Sequence, residues 1–515
     1  MTTTGLFLTR EPDVVKSALI EKFSLHLTCI LAAACTDKSA RELEKLVWAV
    51  LLDVGRMLLA AVLECRACRA TEVDLAQRGL RPHHVTQRVD GHYCCQMTTT
   101  LGTICFALAA YRERTGHGTK TRVPARKLFP SYPKCRSSEL CLEWESHLGS
   151  MHPFRTAERE LNVFTHGAVK LEDTTIASHT VAVGLKVSRK WLYRDPNKIR
   201  ELLSDRAMRD PKTGRPVVYV SCDAHSLRRF VDDTWNAQWK MANGLRIWCV
   251  DSRTGDIIHL GGEFTWGNCE QVESIVRCLI ESGHLPVGGD YGEGVVAQVV
   301  WVTDGMPWIE QYLLKLFPTA VPILDAFHVI ERLARFAATV YGRGKPEAQR
   351  WYQQAYEAAF GASKLPKTKP KTRSGHRKKK GSTTTKFACN RVKQMSRPRN
   401  ATTRAEPLLS LLEGMALSAE HESARDAIIR YIKNNAYRMD YATYIQHGYQ
   451  IGSGSMESLH PVASQHRLKR SGPGWRPEAA QAIFNLRMLN LVDRWHEFWC
   501  HSDLDLTLET AFRAA

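Results

Sequence analysis

Three acids each close a short run of β-branched and apolar residues: Asp223 in VVYVSCD, Asp304 in VVWVTD and Asp325 in AVPILD. Each run has the composition of a strand, so each acid is placed at a strand end. Carboxylates at strand ends emerge together at one edge of a sheet. If the strands ending at Asp223 and Asp304 are neighbours, two carboxylates face each other at close range. Such a pair repels and is stable mainly around a hard divalent cation, for which Mg2+ or Mn2+ is the implied ion. A third acid must come from a following helix. Glu457 lies just after Gly452-Ser453-Gly454, whose glycines let the backbone turn sharply into Ser455-Met456-Glu457. Taken singly, Asp-Gly at 304–305 is an ordinary turn and Gly-Ser-Gly an ordinary linker. The order strand acid, strand acid, helix acid is what points to metal-dependent phosphodiester chemistry.

The elements that must position these acids follow from the surrounding pattern. Runs at 217–223, 245–251 and 256–263 read as strands, the last two joined by a Ser-Arg-Thr-Gly turn, which makes an antiparallel meander. An apolar-periodic segment at 269–282 comes next, then a strand at 299–304, a helix at 307–317 and a strand at 320–325. The order is βββαβαβ. Helical sequence fills 327–360 and 408–444, before the segment that carries Glu457, and 477–491 after it. There is no internal repeat.

Five segments in order carry a resemblance: VSCDA around Asp223, VTDGMPWI around Asp304, ILDAFHVIERL around Asp325, IGSGSMES around Glu457, and HRLKRSGPGWRPEAAQAIFNLR after it. They resemble bacterial insertion-sequence transposases of the DDE type, in particular the ISKra group and its Mutator-like relatives. The resemblance covers residues 217–491 and reaches the N-terminal third only loosely. It implies an α/β RNase H-like core of the retroviral integrase type with an all-helical insertion before the last acid. It also implies that Asp223, Asp304 and Glu457 bind two Mg2+ or Mn2+ ions for cleavage at transposon ends and strand transfer into target DNA. Asp325 with His328 matches the DxxH element of the Mutator-like relatives, one layer outside the metal ligands, where a core hydrogen bond at a strand-helix junction is the plainer alternative. This chain departs from the pattern at Ala224, where Gly is usual, and at Pro461, which interrupts the helix expected to carry Glu457.

Charge supports a nucleic-acid partner. Fifteen Lys or Arg and no acid lie between 360 and 405, against a net charge of +18 for all 515 residues, so one stretch supplies most of the excess. Within it Arg377, Lys378, Lys379 and Lys380 are candidate DNA contacts. So are His466, Arg467, Lys469 and Arg470 soon after Glu457, while Trp475 either stacks on a base or packs as a cap. A glycosidase using paired carboxylates is disfavoured by the same basic stretch. A DNA-binding descendant without catalysis, and a nuclease of the same fold that cuts without joining, remain alternatives.

The N-terminal third reads differently. Residues 1–150 are expected to be mainly helical, serving DNA binding or dimerisation, with a helical stripe through Leu43, Leu46, Val47, Val50, Leu51, Val54 and Leu58. That stripe is either core or a dimer face. Cys65 and Cys68 could open a Zn2+ site, with Cys94, Cys95, Cys105, His83, His84 and His92 nearby, but the second pair lacks standard spacing. Residues 151–210 outline a helix-turn-helix, with one helix to about His166 and a second beginning near Asp173 or Thr174. The core then spans 211–335, the helical insertion 336–445 and the last part of the core 446–515. Neither a signal peptide nor a membrane span is read, since Asp53 and Arg56 interrupt the longest apolar run at 46–63. With fifteen cysteines expected to be reduced, a cytoplasmic, nucleoid-associated homo-oligomer is the expectation.

Overall fold

The computed structural model describes residues 12–35, 38–80, 85–87, 94–115, 118–129, 135–230, 236–287, 297–305, 316, 317, 319–361, 405–470 and 474–501. The chain divides into two units: Met1–Val187 with Glu478–Leu486 and Glu497–Ala515, and Ser188–Pro477 with Arg487–His496.

Two long helices, α1 (Pro12–Ala34) and α2 (Ala40–Gln77), open the first unit. Ser39 and Glu42 cap α2 reciprocally, each satisfying a backbone N–H of the other. Asp53, the acid inside the apolar run, is held by Arg56 at 3.2 Å, Lys22 of α1 at 3.3 Å and His26 of α1 at 2.9 Å. This polar knot ties α1 to α2, while Leu51, Leu58 and Val62 remain about half exposed. In length and apolar composition α2 matches a membrane span, although Leu52, Met57, Ala60, Ala61, Ala67 and Leu75 on it are buried.

Five strands follow: β1 (Val85–Gln87), β2 (Cys94–Thr99), β3 (Gly102–Ala107), β4 (Ala109–Thr115) and β5 (Gly118–Arg122). β2 and β3 form a hairpin, and β1-β4-β5 a small antiparallel sheet. Residues 1–150 are helical over α1, α2 and the helix that begins at Glu139, with these five short strands between them, which the expectation of a mainly helical region did not include. Cys95 alternates inward with Met97, Ile104 and Phe106 to pack on Ala60 and Ala67 of α2. Read as metal ligands, the cysteines hide this period-two pattern.

Helices α3 (Glu139–Met151), α4 (Phe154–Phe164) and α5 (Asp173–Lys186) follow in this unit. The two helices and the turn between them fall where the helix-turn-helix outline puts them, with His166 and Gly167 in the left-handed region at φ 51° and 81°. Yet Ile176 and every residue from Ser178 to Gly184 are buried. A recognition helix must offer a face to the groove. Most of helix α5 is core, and its ends, 173–175 and 185–186, are uncovered.

In the second unit α6 (Pro196–Asp205) precedes β6 (Val217–Phe230), β7 (Ala237–Val250), β8 (Ile257–Thr265), α7 (Cys269–Glu281), β9 (Gln298–Thr303) and β10 (Val321–Leu324). The sheet order is β10-β9-β6-β7-β8, with β6, β7 and β8 antiparallel and β9 and β10 parallel to β6. The expected strand order is present; the helix expected at 307–317 lies almost wholly outside the described residues, as does the basic stretch.

Helices α8 (Ala326–Tyr341), α9 (Pro346–Phe360), α10 (Ala405–Glu413), α11 (Ala419–Asn435) and α12 (Tyr441–Gln446) follow. Val217, Tyr219, Trp248, Val300, Val302 and Ile323 of the sheet share one core with Val329, Leu333, Trp351, Tyr356, Leu408 and Ile432 of these helices. Last come α13 (Gly454–His460), a π-helical turn (Pro461–Gln465), α14 (Pro477–Leu491) and α15 (Trp495–His501). Pro461 does not end its helix. A proline removes one N–H and crowds the preceding turn, and the wider π turn accommodates both.

Candidate metal centre

The acids lie just beyond the paired part of the sheet, where β6 pairs with β9 as far as Val220 and β9 with β10 as far as Thr303. Val220 pairs with Trp301 and Thr303 with Leu324, so Asp223 and Asp304 each lie three residues past the first pair, and Asp304 and Asp325 one residue past the second. The Asp325 N–H still donates to the Thr303 carbonyl at 2.8 Å, extending the ladder by a residue. One correction is needed: Asp223 does not end its strand. β6 continues to Phe230 paired with β7, and only its pairing with β9 stops, after Val220. Asp223 is half-buried, at the point where β6 has parted from β9 but stays paired with β7.

Gly305 turns the chain out after Asp304 with φ +85°, and a side chain there would meet Leu324 at 2.8 Å and Asn435 at 2.9 Å. Tyr431 of α11 donates to the Asp304 carbonyl at 3.0 Å. Asp325 is fully buried and caps α8, accepting from the Phe327 N–H at 2.8 Å. Its other oxygen meets His328 Nδ1 at 2.9 Å and accepts from the Ser453 hydroxyl.

Helix α13 brings Glu457 near Asp223 and Asp325. Gly244 on β7 pairs with Asp223, and because it has no side chain, Met456 comes to rest on it: a Cβ there would lie 2.5 Å from the Met456 methyl. Arg246, two residues along β7, donates to the Ser455 carbonyl and to the Ser458 hydroxyl, the latter at 3.1 Å. His460, one turn beyond Glu457, places Nε2 3.0 Å from Asp223 Oδ2.

Among the described residues, one group of three metal-capable side chains has ligand atoms within 4.8 Å of one another: Asp325, His328 and Glu457. Glu457 is thus gathered with the DxxH pair, while Asp223 and Asp304 stand beside it along the sheet edge. The electrostatics join all five. The hydrogen bond to Asp325 raises His328 to about 9, with Asp304 and Asp223 adding to it. Desolvation and the charge of Asp325 push the Glu457 carboxyl up, with Asp223 adding to them and His328 opposing. Burial and the neighbouring His460 pull His225, behind Asp223, down to about 3. The donor set of carboxylate oxygens with one imidazole fits a divalent cation, and the nitrogen suits Mn2+ better than Mg2+.

Other expected residues fare unevenly. Lys469 and Arg470 are exposed, but Arg467 is 4% exposed and its guanidinium lies 4.7 Å from the Trp475 ring. Burial pulls Arg467 down to about 9. Arg467, expected to meet phosphate at the surface, is instead buried against Trp475. Trp475 is packed, its indole N–H donating to the Leu468 carbonyl at 3.2 Å and its backbone pairing with β6 at Arg229. The open indole is Trp239, 60% exposed, with Lys469 Nζ 6.0 Å from its ring. Arg377, Lys378, Lys379 and Lys380 lie outside the described residues, as do His83, His84 and His92. Cys65 is exposed and Cys68 half-buried on α2, and among the described residues no metal-sized group of three includes either.

Sequence reasoning passed over Ser453, His460, Arg246 and Trp239. Only His460 carried a signal: the Glu-x-x-His spacing puts it one helical turn from Glu457.

No family model matches the chain, and no curated protein matches its sequence. A solved structure, the Drosophila P element transposase strand transfer complex, is similar over 70% of this chain and 80% of its own, with 11% identity and a TM-score of 0.24, too low a likeness to carry fold or activity across.

Proposed function

We propose that the chain is a DNA transposase of the DDE type with an RNase H-like core, in which Asp223, Asp304 and Glu457 hold divalent metal ions. The observation that carries this reading is the sheet order β10-β9-β6-β7-β8, with Asp223 and Asp304 just past the paired part of the neighbouring parallel strands β6 and β9 and Glu457 brought near Asp223 and Asp325 by α13. When bound, two divalent ions supply an activated water and stabilisation of the leaving 3′ oxygen. The protein's own part is positional. Asp223 and Asp304 are fixed by the strands, Glu457 by a helix seated on Gly244, and His328 is oriented by Asp325. No side chain need bond covalently to DNA, and a 3′-OH taking the place of water turns cleavage into joining.

The basic stretch, with Arg377, Lys378, Lys379 and Lys380, supplies phosphate contacts, as do Lys469 and Arg470. Trp239 beside Lys469 offers a stacking surface for a base. Joining two ends requires at least a dimer. Such an enzyme works on nucleoid DNA in the cytoplasm.

The test is cleavage of linear DNA carrying the flanking element's end, with Mn2+, Mg2+ or EDTA, for the parent chain and for Asp304→Asn. New 3′-OH ends for the parent alone, and only with metal, are expected. Loss of a metal ligand should cost more than the roughly 10–100-fold that outer partners cost. DNA that is bound but uncut in every metal would make the chain a DNA-binding protein instead.

A further inference from the structure

We infer that His460 is a positioning residue: it holds the Asp223 carboxylate and thereby docks the helix that carries Glu457 onto the sheet. The inference rests on the metal-site reading above and names the group that makes the site rigid.

An aspartate side chain turns easily about its last torsion, which has no sharply staggered wells. Its oxygens point where hydrogen bonds hold them. Asp223 Oδ1 accepts from the Ala224 N–H at 2.7 Å, and Oδ2 is held by His460 Nε2 at 3.0 Å. Remove His460, and one oxygen loses its anchor among like charges that favour swinging away.

His460 is itself immobilised. It is 5% exposed, with its ring 4.4 Å from that of His225 and 5.8 Å from that of Phe264. His225 Nε2 meets the Ser464 hydroxyl at 2.7 Å, and Ser464 donates to the His460 carbonyl at 2.8 Å. Asp223 and His225 lie two apart on β6, on one face; His460 and Ser464 lie one turn apart across the π turn. The contact is thus a two-rung clamp between strand and helix. Because His460 and Glu457 share α13, the orientation of one acid and the placement of another are set together.

The measurement is Mn2+ binding by the full chain without DNA, followed by electron paramagnetic resonance, with melting in EDTA alongside. His460→Gln puts an amide N–H near the position of Nε2, whereas His460→Asn reaches only the position of Nδ1. Loss of an outer partner of a metal ligand costs about 10–100-fold in affinity, so His460→Ala and His460→Asn should bind Mn2+ that much more weakly, and His460→Gln close to the parent. Melting in EDTA should not follow that ranking. Parent-like binding by His460→Ala overturns the inference, and so does equal weakness of the Gln and Asn variants, a comparison that still holds if His460→Ala does not fold. A parent chain that binds no Mn2+ overturns both readings. His460-dependent Mn2+ binding without DNA cleavage overturns the transposase reading alone.

Discussion

Inside the first unit a thiol, an imidazole and a carboxylate stand in line: Cys135 Sγ is 3.7 Å from His179 Nε2, and His179 Nδ1 is 2.6 Å from Glu145 Oε2. Burial would lower His179, but its hydrogen bonds to Cys135 and Glu145 and the Glu145 charge outweigh that and raise it to about 10. An unfolded histidine titrates near 6.5. A group whose folded value lies higher stabilises fully below about pH 6.5 and loses that contribution as pH rises through about 10. Melting temperature should therefore fall between pH 7 and pH 10 in the parent, and His179→Gln should flatten that slope. At pH 7 the variant leaves Glu145 without its buried partner, which costs about 3 kcal/mol by chemical denaturation. An unchanged slope would show that the pair is not charged. At this scale sequence shows which side chains can do chemistry and not which will meet. Asp304 and Asp325 are legible because each follows directly on the strand run it closes, and Asp223 because its apolar run stops there although β6 itself continues to Phe230. Ser453, Arg246 and the Cys135-His179-Glu145 line are not, because each meaning depends on a partner far along the chain.

Elements were legible where period and punctuation agree. The meander β6-β7-β8, the helix after it and β9 and β10 follow from short apolar runs and the turn at 252–255. Strand length was not legible: β6 and β7 run on past Asp223 and Gly244 as a polar-faced ribbon, where apolar periodicity fades although the backbone stays paired. Helix α5 shows the reverse fault, since an outline of two helices and a turn says nothing about which face is covered. The seat of α13 gives a prediction proper to this scale. A valine at Gly244 needs room held by the Met456 methyl at 2.5 Å and the Phe264 ring at 2.7 Å. Overpacking of this kind costs about 1–3 kcal/mol. Gly244→Val should lower stability by that amount and metal-dependent cleavage by more than tenfold, on the order of what 1.4 kcal/mol of misplacement costs. Adding Met456→Ala should restore part of the cleavage. A rescue of stability without any rescue of cleavage would separate the packing from the placement of Glu457.

For the whole molecule the dominant fact is where the charge lies. Deleting 362–404 removes all fifteen cations of the basic stretch and leaves the rest of the chain near +3. Each phosphate neutralised contributes about 0.9 to the slope of log affinity against log salt. The deletion should flatten that slope by about 3 or more for DNA of any sequence, measured by anisotropy between low and moderate salt. An unchanged slope would remove this stretch from the interface.

The order of the acids along the chain has a consequence in time. The sheet and its three aspartates are complete by Asp325, but Glu457 and His460 are synthesised only after the whole helical insertion. A nascent chain on the ribosome, or one ended early by a stop codon or a protease, has the aspartates and the basic stretch without the helix that completes the site. On the proposed function, such products would hold DNA without cutting it and would compete with the finished protein for its sites.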